Sequence, residues 1–255
     1  MRWDERDPFL ETEEKERHMK SIVSISAIAA LAGVANAGVL VAGTSFENAF
    51  VGAQYMDTGD ASMDHDLINN AGQSVVDFTA DGTEMGFDAY YRNTRNSNGL
   101  TDGDFVGATD FTGAVGSFTD GTQGYQMSDA DGTMGVQFDT VMGADSVSFD
   151  LFVNESGWES DDSVRAFVVV DGGVEFDIFN TIGSDIDNLF IEGSWMNLSF
   201  DISAYSEATL VVELESNASL EAIYLDNVQF RAIPTPGSVA LLAIGGLVGT
   251  RRRRA

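Results

Sequence analysis

The stretch Ser163–Phe179, SVRAFVVVDGGVEFDIF, sets two runs rich in β-branched and aromatic residues around Asp171-Gly172-Gly173. Residues that accept positive φ between two such runs predict a β-hairpin. Just upstream, DSVSFDLFV (145–153) alternates Val147, Phe149, Leu151 and Val153 with Ser146, Ser148, Asp150 and Phe152. That is the period of two of a half-buried strand. Downstream, SWMNLSFDI (194–202) opposes Met196, Leu198, Phe200 and Ile202 to Trp195, Asn197, Ser199 and Asp201, and ATLVVELES (208–216) puts Leu210, Val212 and Leu214 on one face. EAIYLDNVQFRA (221–232) reads as a last strand, and GVLVAGTSFEN (38–48), SVVDFT (74–79), EMGFDAYY (84–91) and MGVQFDTV (134–141) as earlier ones. No amphipathic helix of 12 or more residues is evident. About ten strands separated by Gly, Asp, Asn and Ser turns predict an all-β fold, an antiparallel two-sheet β-sandwich of the jelly-roll kind. Residues 92–133 carry the weakest strand signal and are expected to form long loops, where binding sites tend to lie.

Charge divides the 255-residue chain into three. Of its 13 basic residues, five lie in the first twenty and four are Arg251–Arg254, so the middle has only Arg92, Arg95, Arg165 and Arg231. Seven of the 41 acids precede residue 20, and the other 34 lie in the middle. Such a surface repels phosphate backbones and excludes nucleic-acid binding. It suits a salty exterior, divalent cations or neutral ligands. The absence of cysteine excludes disulfides and thiolate chemistry.

Residues 1–18 are polar and densely charged, and read as an over-called start or a disordered extension. Lys20, the apolar segment Ile22–Val34 and the small-x-small site Ala35-Asn36-Ala37 then form a secretory signal peptide over 19–37. The β-sandwich domain is expected over 38–232. At the other end, 233–255 opens on Pro234-Thr235-Pro236, continues through an uncharged, mainly apolar stretch from Gly237 to Thr250, and closes on Arg251, Arg252, Arg253 and Arg254. As a helix that stretch would reach about 21 Å against about 30 Å of bilayer core. It suits a temporary transmembrane helix held by a basic stop signal.

Chemistry is sparse in the middle. His65, in SMDHDLINN, is the only histidine after the signal peptide, and there is no nucleophile elbow, so nucleophilic catalysis is not expected. A metal role for His65 with Asp64 or Asp66 is the alternative to a plain loop residue. Calcium, which takes hard oxygens, fits the acids better. SDADGTMG offers Asp129 and Asp131 at alternate positions beside Gly132, without an acid to close such a loop at Thr140. Glu47 in TSFEN and Asp226 in YLDNVQF, at the two ends of the domain, form a second candidate. Exposed rings that could stack on sugar are sought in Tyr90 and Tyr91 beside Arg92, in Tyr125 of DGTQGYQ and in Trp158 of NESGWESDD. Adjacent tyrosines on a strand face opposite ways, which sends one of Tyr90 and Tyr91 to the core.

Two resemblances follow from these motifs. The Glu47 and Asp226 motifs resemble those of jelly-roll carbohydrate-binding modules, which implies a structural calcium shared by the two carboxylates. The tail resembles the PEP-CTERM sorting domain of Gram-negative bacteria in its Pro-x-Pro signature, apolar helix and terminal basic cluster. Thr235 stands where that family usually has Glu. The resemblance implies transient insertion in the inner membrane, cleavage by an exosortase-type membrane protease, and delivery to the cell surface or extracellular matrix, often alongside exopolysaccharide. The expected function is therefore a non-enzymatic, exported glycan-binding or adhesive protein. The alternatives are a calcium-stabilised structural surface protein or, failing that, a secreted glycan-active hydrolase.

Overall fold

The computed structural model describes residues 38–233 apart from 53, 61, 93–99 and 101–103. The expected signal peptide and sorting tail lie outside the described residues. Among the described residues no helix is long and apolar enough to cross a membrane.

The described chain is built from β1 (Val39–Thr44), β2 (His65–Asp66), β3 (Phe87–Arg92), β4 (Phe105–Thr109), β5 (Gly124–Ser128), β6 (Gly132–Phe138), β7 (Val141–Met142), β8 (Ser146–Val153), β9 (Ser163–Val170), β10 (Val174–Asn180), β11 (Trp195–Asp201), β12 (Glu207–Ser216) and β13 (Ala222–Ala232). A single 3-10 turn, Ile186–Asn188, is the only helical element among the described residues. One sheet runs β11-β8-β13-β5-β4, with β1 also on β13, and the other runs β10-β9-β12-β6-β3-β2, with β7 on β12. All the strand pairs are antiparallel. Within this, β5-β13-β8-β11 faces β6-β12-β9-β10, the strand order of a jelly roll, in which the chain crosses repeatedly between sheets.

Alternation accounts for the core. Val147, Phe149, Leu151 and Val153 are wholly buried on the inner face of β8, as are Leu210, Val212 and Leu214 on β12. Phe46, Phe87, Tyr125 and Phe138 interlock between the sheets, with Phe87 meeting Tyr125 edge-on at 5.4 Å between centroids. The expected hairpin joins β9 to β10 through Asp171, Gly172 and Gly173, and both glycines have positive φ, 77° and 92°. The Asp171 carboxylate accepts hydrogen bonds from Ser206 and Glu207 and so ties the hairpin to the start of β12.

Two expectations are corrected. Residues 92–133 are not mainly loop: they contain β4, β5 and the start of β6. Every residue of β5 is buried, so the polar Gln126 and Ser128 disguise a strand that both faces cover. Conversely, 74–79 is no strand; it is extended chain touching the sheets through Val75 and a single bridge from Phe78 to Phe87.

Candidate functional site

A trough of about 420 Å³ lies on the outer face of the six-stranded sheet. Its floor is Gln126 and Ser128 of β5 with Ala222 and Tyr224 of β13. The β5–β13 register places Gln126 directly beside Tyr224 and Ser128 beside Ala222, so period two delivers all four to one face. One wall is the β4–β5 connection, from which Phe111, Gly113 and Ala114 reach the cavity. That connection is fixed by a bond from Trp195 Nε1 to the Ser117 carbonyl and by Phe118 and Val115, which pack on Phe152, Tyr224 and Trp195. The opposite wall is Asn154 with Ser219 and Leu220, and Asn154 Nδ2 donates to the Leu220 carbonyl at 2.8 Å. Gln54, Phe105 and Asp129 complete the lining.

Two features make this a site and not a dent. Phe111 is half exposed and its ring lies over Gly113, where a Cβ would sit 2.4 Å from a ring carbon. Gln126 is only 4% exposed, yet its Oε1 has no hydrogen-bond partner and its Nε2 has only a long contact of 3.5 Å with Ser128 Oγ. Buried polar groups are normally paired, and an orphan one costs stability unless something else satisfies it. Burial pushes the Tyr224 hydroxyl up to about 12, so it stays protonated and able to donate.

The rings expected to stack on sugar are not available for it. Trp158 is 4% exposed, with Nε1 donating to the Asn154 carbonyl. Tyr91 and Tyr125 are wholly buried in the main core. Tyr90 does face outward, on the other sheet, but the Arg92 guanidinium lies 4.2 Å over its ring and its hydroxyl donates to Glu213. Arg165 covers Phe167 in the same way and is held by Glu175 and Asp177. That outer face satisfies itself. The alternation rule explains the error at DGTQGYQ: on β5 Tyr125 points inward and its neighbour Gln126 outward. Phe190, 93% exposed at φ 57°, escaped the sequence reading too, but does not line the trough.

His65 has an acceptor at each ring nitrogen, the Met63 carbonyl at 2.7 Å and Asp57 Oδ2 at 2.8 Å. Partial burial works against its charge, but these two acceptors hold its pKa above the ordinary value. When protonated it forms an ion pair with Asp57.

Glu47 and Asp226 grip one loop from two sides. Asp226 Oδ2 accepts from the backbone of Thr119 at 2.6 Å and of Asp120 at 2.8 Å, while Glu47 Oε1 accepts from the backbone of Thr122 at 2.6 Å and of Gln123 at 2.7 Å. The loop therefore turns N–H donors, not carbonyl oxygens, toward both carboxylates, the opposite of what calcium takes. Asp129 and Asp131, both with positive φ, flank Ala130 at the corner where β5 crosses to β6. A different trio, Glu159, Asp162 and Glu221, brings three carboxylate oxygens within 4.8 Å of one another, two of the residues being buried. That trio could hold a metal ion, and it was not among the acids singled out from the sequence.

These buried acids set the pH response. Burial pushes Glu221 up to about 7, with the carboxylates of Asp162 and Glu159 adding to the effect, and pushes Asp226 up to about 6. An acid whose pKa is higher in the fold contributes stability fully present below its unfolded pKa and lost as pH rises through the folded one. The raised pKa of His65 acts with the same sign. Asp81, held at about 2 chiefly by the backbone N–H of Glu84 with help from Thr83, acts oppositely: its contribution disappears as pH falls below about 4. The melting temperature should therefore peak near pH 5 and fall toward pH 8, a slope that thermal unfolding without divalent cations would show and Glu221→Gln should flatten.

The chain matches no family model and no curated protein. Several solved structures show a distant likeness to the chain. The K3 cleaved adhesin domain of Lys-gingipain from Porphyromonas gingivalis is 10% identical, with a TM-score of 0.39 over 76% of this chain and 100% of that one. A family 11 carbohydrate-binding module from Clostridium thermocellum, in complex with a β-1,3-1,4-mixed-linked tetrasaccharide, is 13% identical, with a TM-score of 0.33 over 64% and 100%. A xylan-binding domain of family 22 is 14% identical, with a TM-score of 0.33 over 62% and 91%.

Proposed function

We propose that this chain is an exported, non-enzymatic glycan-binding or adhesive protein of the bacterial cell surface or matrix, and that the trough is its binding site. The trough carries this reading: it joins a half-exposed ring to several uncharged polar side chains, the combination that fixes a sugar's apolar face and its hydroxyls. Its volume lies within the roughly 300–1,000 Å³ of small-ligand sites. Hydrolysis of glycosides needs two carboxyl groups flanking the scissile bond. Among the described residues Asp129 is the only carboxylate lining the trough, which favours binding over cleavage.

Export rests on the signal peptide ending at Ala35-Asn36-Ala37 and on the PEP-CTERM-like tail. An exosortase-type protease would remove that tail near Pro234-Thr235-Pro236. Expression in hosts with and without an exosortase tests this: the mature C-terminus should be shorter only where the protease is present, and equal masses would defeat the sorting reading. Incubation with polysaccharides should show retention without release of reducing ends.

A second reading, a structural surface protein stabilised by calcium, is favoured by the Glu159–Asp162–Glu221 trio, whose mutual repulsion a divalent cation would relieve. Calcium raising the melting temperature at pH 7.5, with no polysaccharide bound, would favour it.

A further inference from the structure

We propose that the trough selects an uncharged glycan, with the Gln126 amide reading its hydroxyls and the Phe111 ring carrying its apolar face. This rests on the glycan-binding reading above and adds the chemical class of the ligand.

The amide is the first reason. Whichever way it is set, one end of the buried Gln126 side chain has no partner among the described residues. A primary amide both donates and accepts, and so do neighbouring sugar hydroxyls, so the two satisfy each other without any charge. The Tyr224 hydroxyl, on the same floor, makes no hydrogen bond among the described residues. These floor groups are neutral.

Charge is the second reason. Among the described residues no basic side chain lines the trough, and Asp129 does. The described arginines are engaged elsewhere: Arg92 on Tyr90, Arg165 with Glu175 and Asp177, and Arg231 with Gln229 and the Gly38 carbonyl. A uronate or sulfate entering here would meet a carboxylate and no counter-charge, within a chain of net charge −28. A neutral sugar meets no such barrier.

The test is binding of neutral polysaccharides (dextran, galactomannan, arabinoxylan, β-glucan) and acidic ones (alginate, pectate, hyaluronate), in EDTA at physiological salt, by affinity electrophoresis and calorimetry. Wild type should bind at least one neutral polymer and no acidic one. Gln126→Leu and Phe111→Ala should each weaken that binding about tenfold or more. Both should keep the wild-type melting temperature, because the first removes an unpaired polar atom and the second a half-exposed ring. Should Gln126→Leu fail to fold, Phe111→Ala alone decides. Acidic polymers bound, with loss in these variants, would overturn the uncharged class while leaving the glycan reading standing. Neutral binding indifferent to both variants would overturn the trough as its seat. No binding of either class would bring down the glycan reading and this inference with it.

Discussion

Trp158→Ala should cost about 3–5 kcal/mol of stability, the usual range for emptying a buried tryptophan site. In a domain of this size that lowers the melting temperature by roughly 10 °C. The ring is packed in the main core and its Nε1 holds the Asn154 carbonyl at 3.0 Å, while the Trp158 backbone N–H donates to Asp187. From sequence, Gly157 before it and Glu159, Ser160 and Asp161 after it suggested a displayed ring. The structure shows those polar residues exposed around a ring turned inward. Differential scanning fluorimetry checks the loss, and polysaccharide binding per folded molecule should be retained. A variant with normal stability that has lost binding would show instead that Trp158 contacts ligand.

Asp226→Ala should cost about 3 kcal/mol. The side chain is wholly buried and accepts from the backbone N–H groups of Thr119, Asp120 and Asn227 and from the Thr119 hydroxyl. Removing it leaves several part-buried donors unpaired, each costing up to about 1–3 kcal/mol before relaxation or water entry. Asn227, at φ 52°, lies in the irregular step of β13 between Asp226 and Gln229, so the carboxylate also steadies that break in register. Urea unfolding would measure the change. Glu47→Ala should cost less, because its bonds to Thr122 lie at the exposed side of the loop.

Most of the sandwich was legible in the sequence wherever one face of a strand is apolar and the other polar. Strands β8, β11 and β12 announce themselves in this way, and the Asp171-Gly172-Gly173 turn fixes the pairing of β9 with β10. Strands β4 and β5 do not, because nearly all their residues are buried on either face, and Gly107, Gln126 and Ser128 stand on the outer face where an apolar and polar contrast would be sought. Covering both faces removes the alternation that periodicity needs. Sequence reasoning looked for the site in aromatic residues, but Tyr91, Tyr125 and Trp158 build the core instead. The trough is assembled from Phe111, Gln126, Asn154 and Leu220, spread over more than a hundred residues of chain and brought together by the β5–β13–β8 pairing. No local motif marks it. The nearest clue is the polar spacing of Gln126 and Ser128 beside inward Tyr125 and Met127.

Amide hydrogen exchange with and without each neutral polysaccharide that the protein binds tests the binding site most directly. Protection should appear in 105–114, 124–129 and 217–224 and be absent from β9 and β12, whose outer face is closed by its own arginines. Protection confined to β9 and β12, or none anywhere while polymer is bound, would contradict the trough as the binding site.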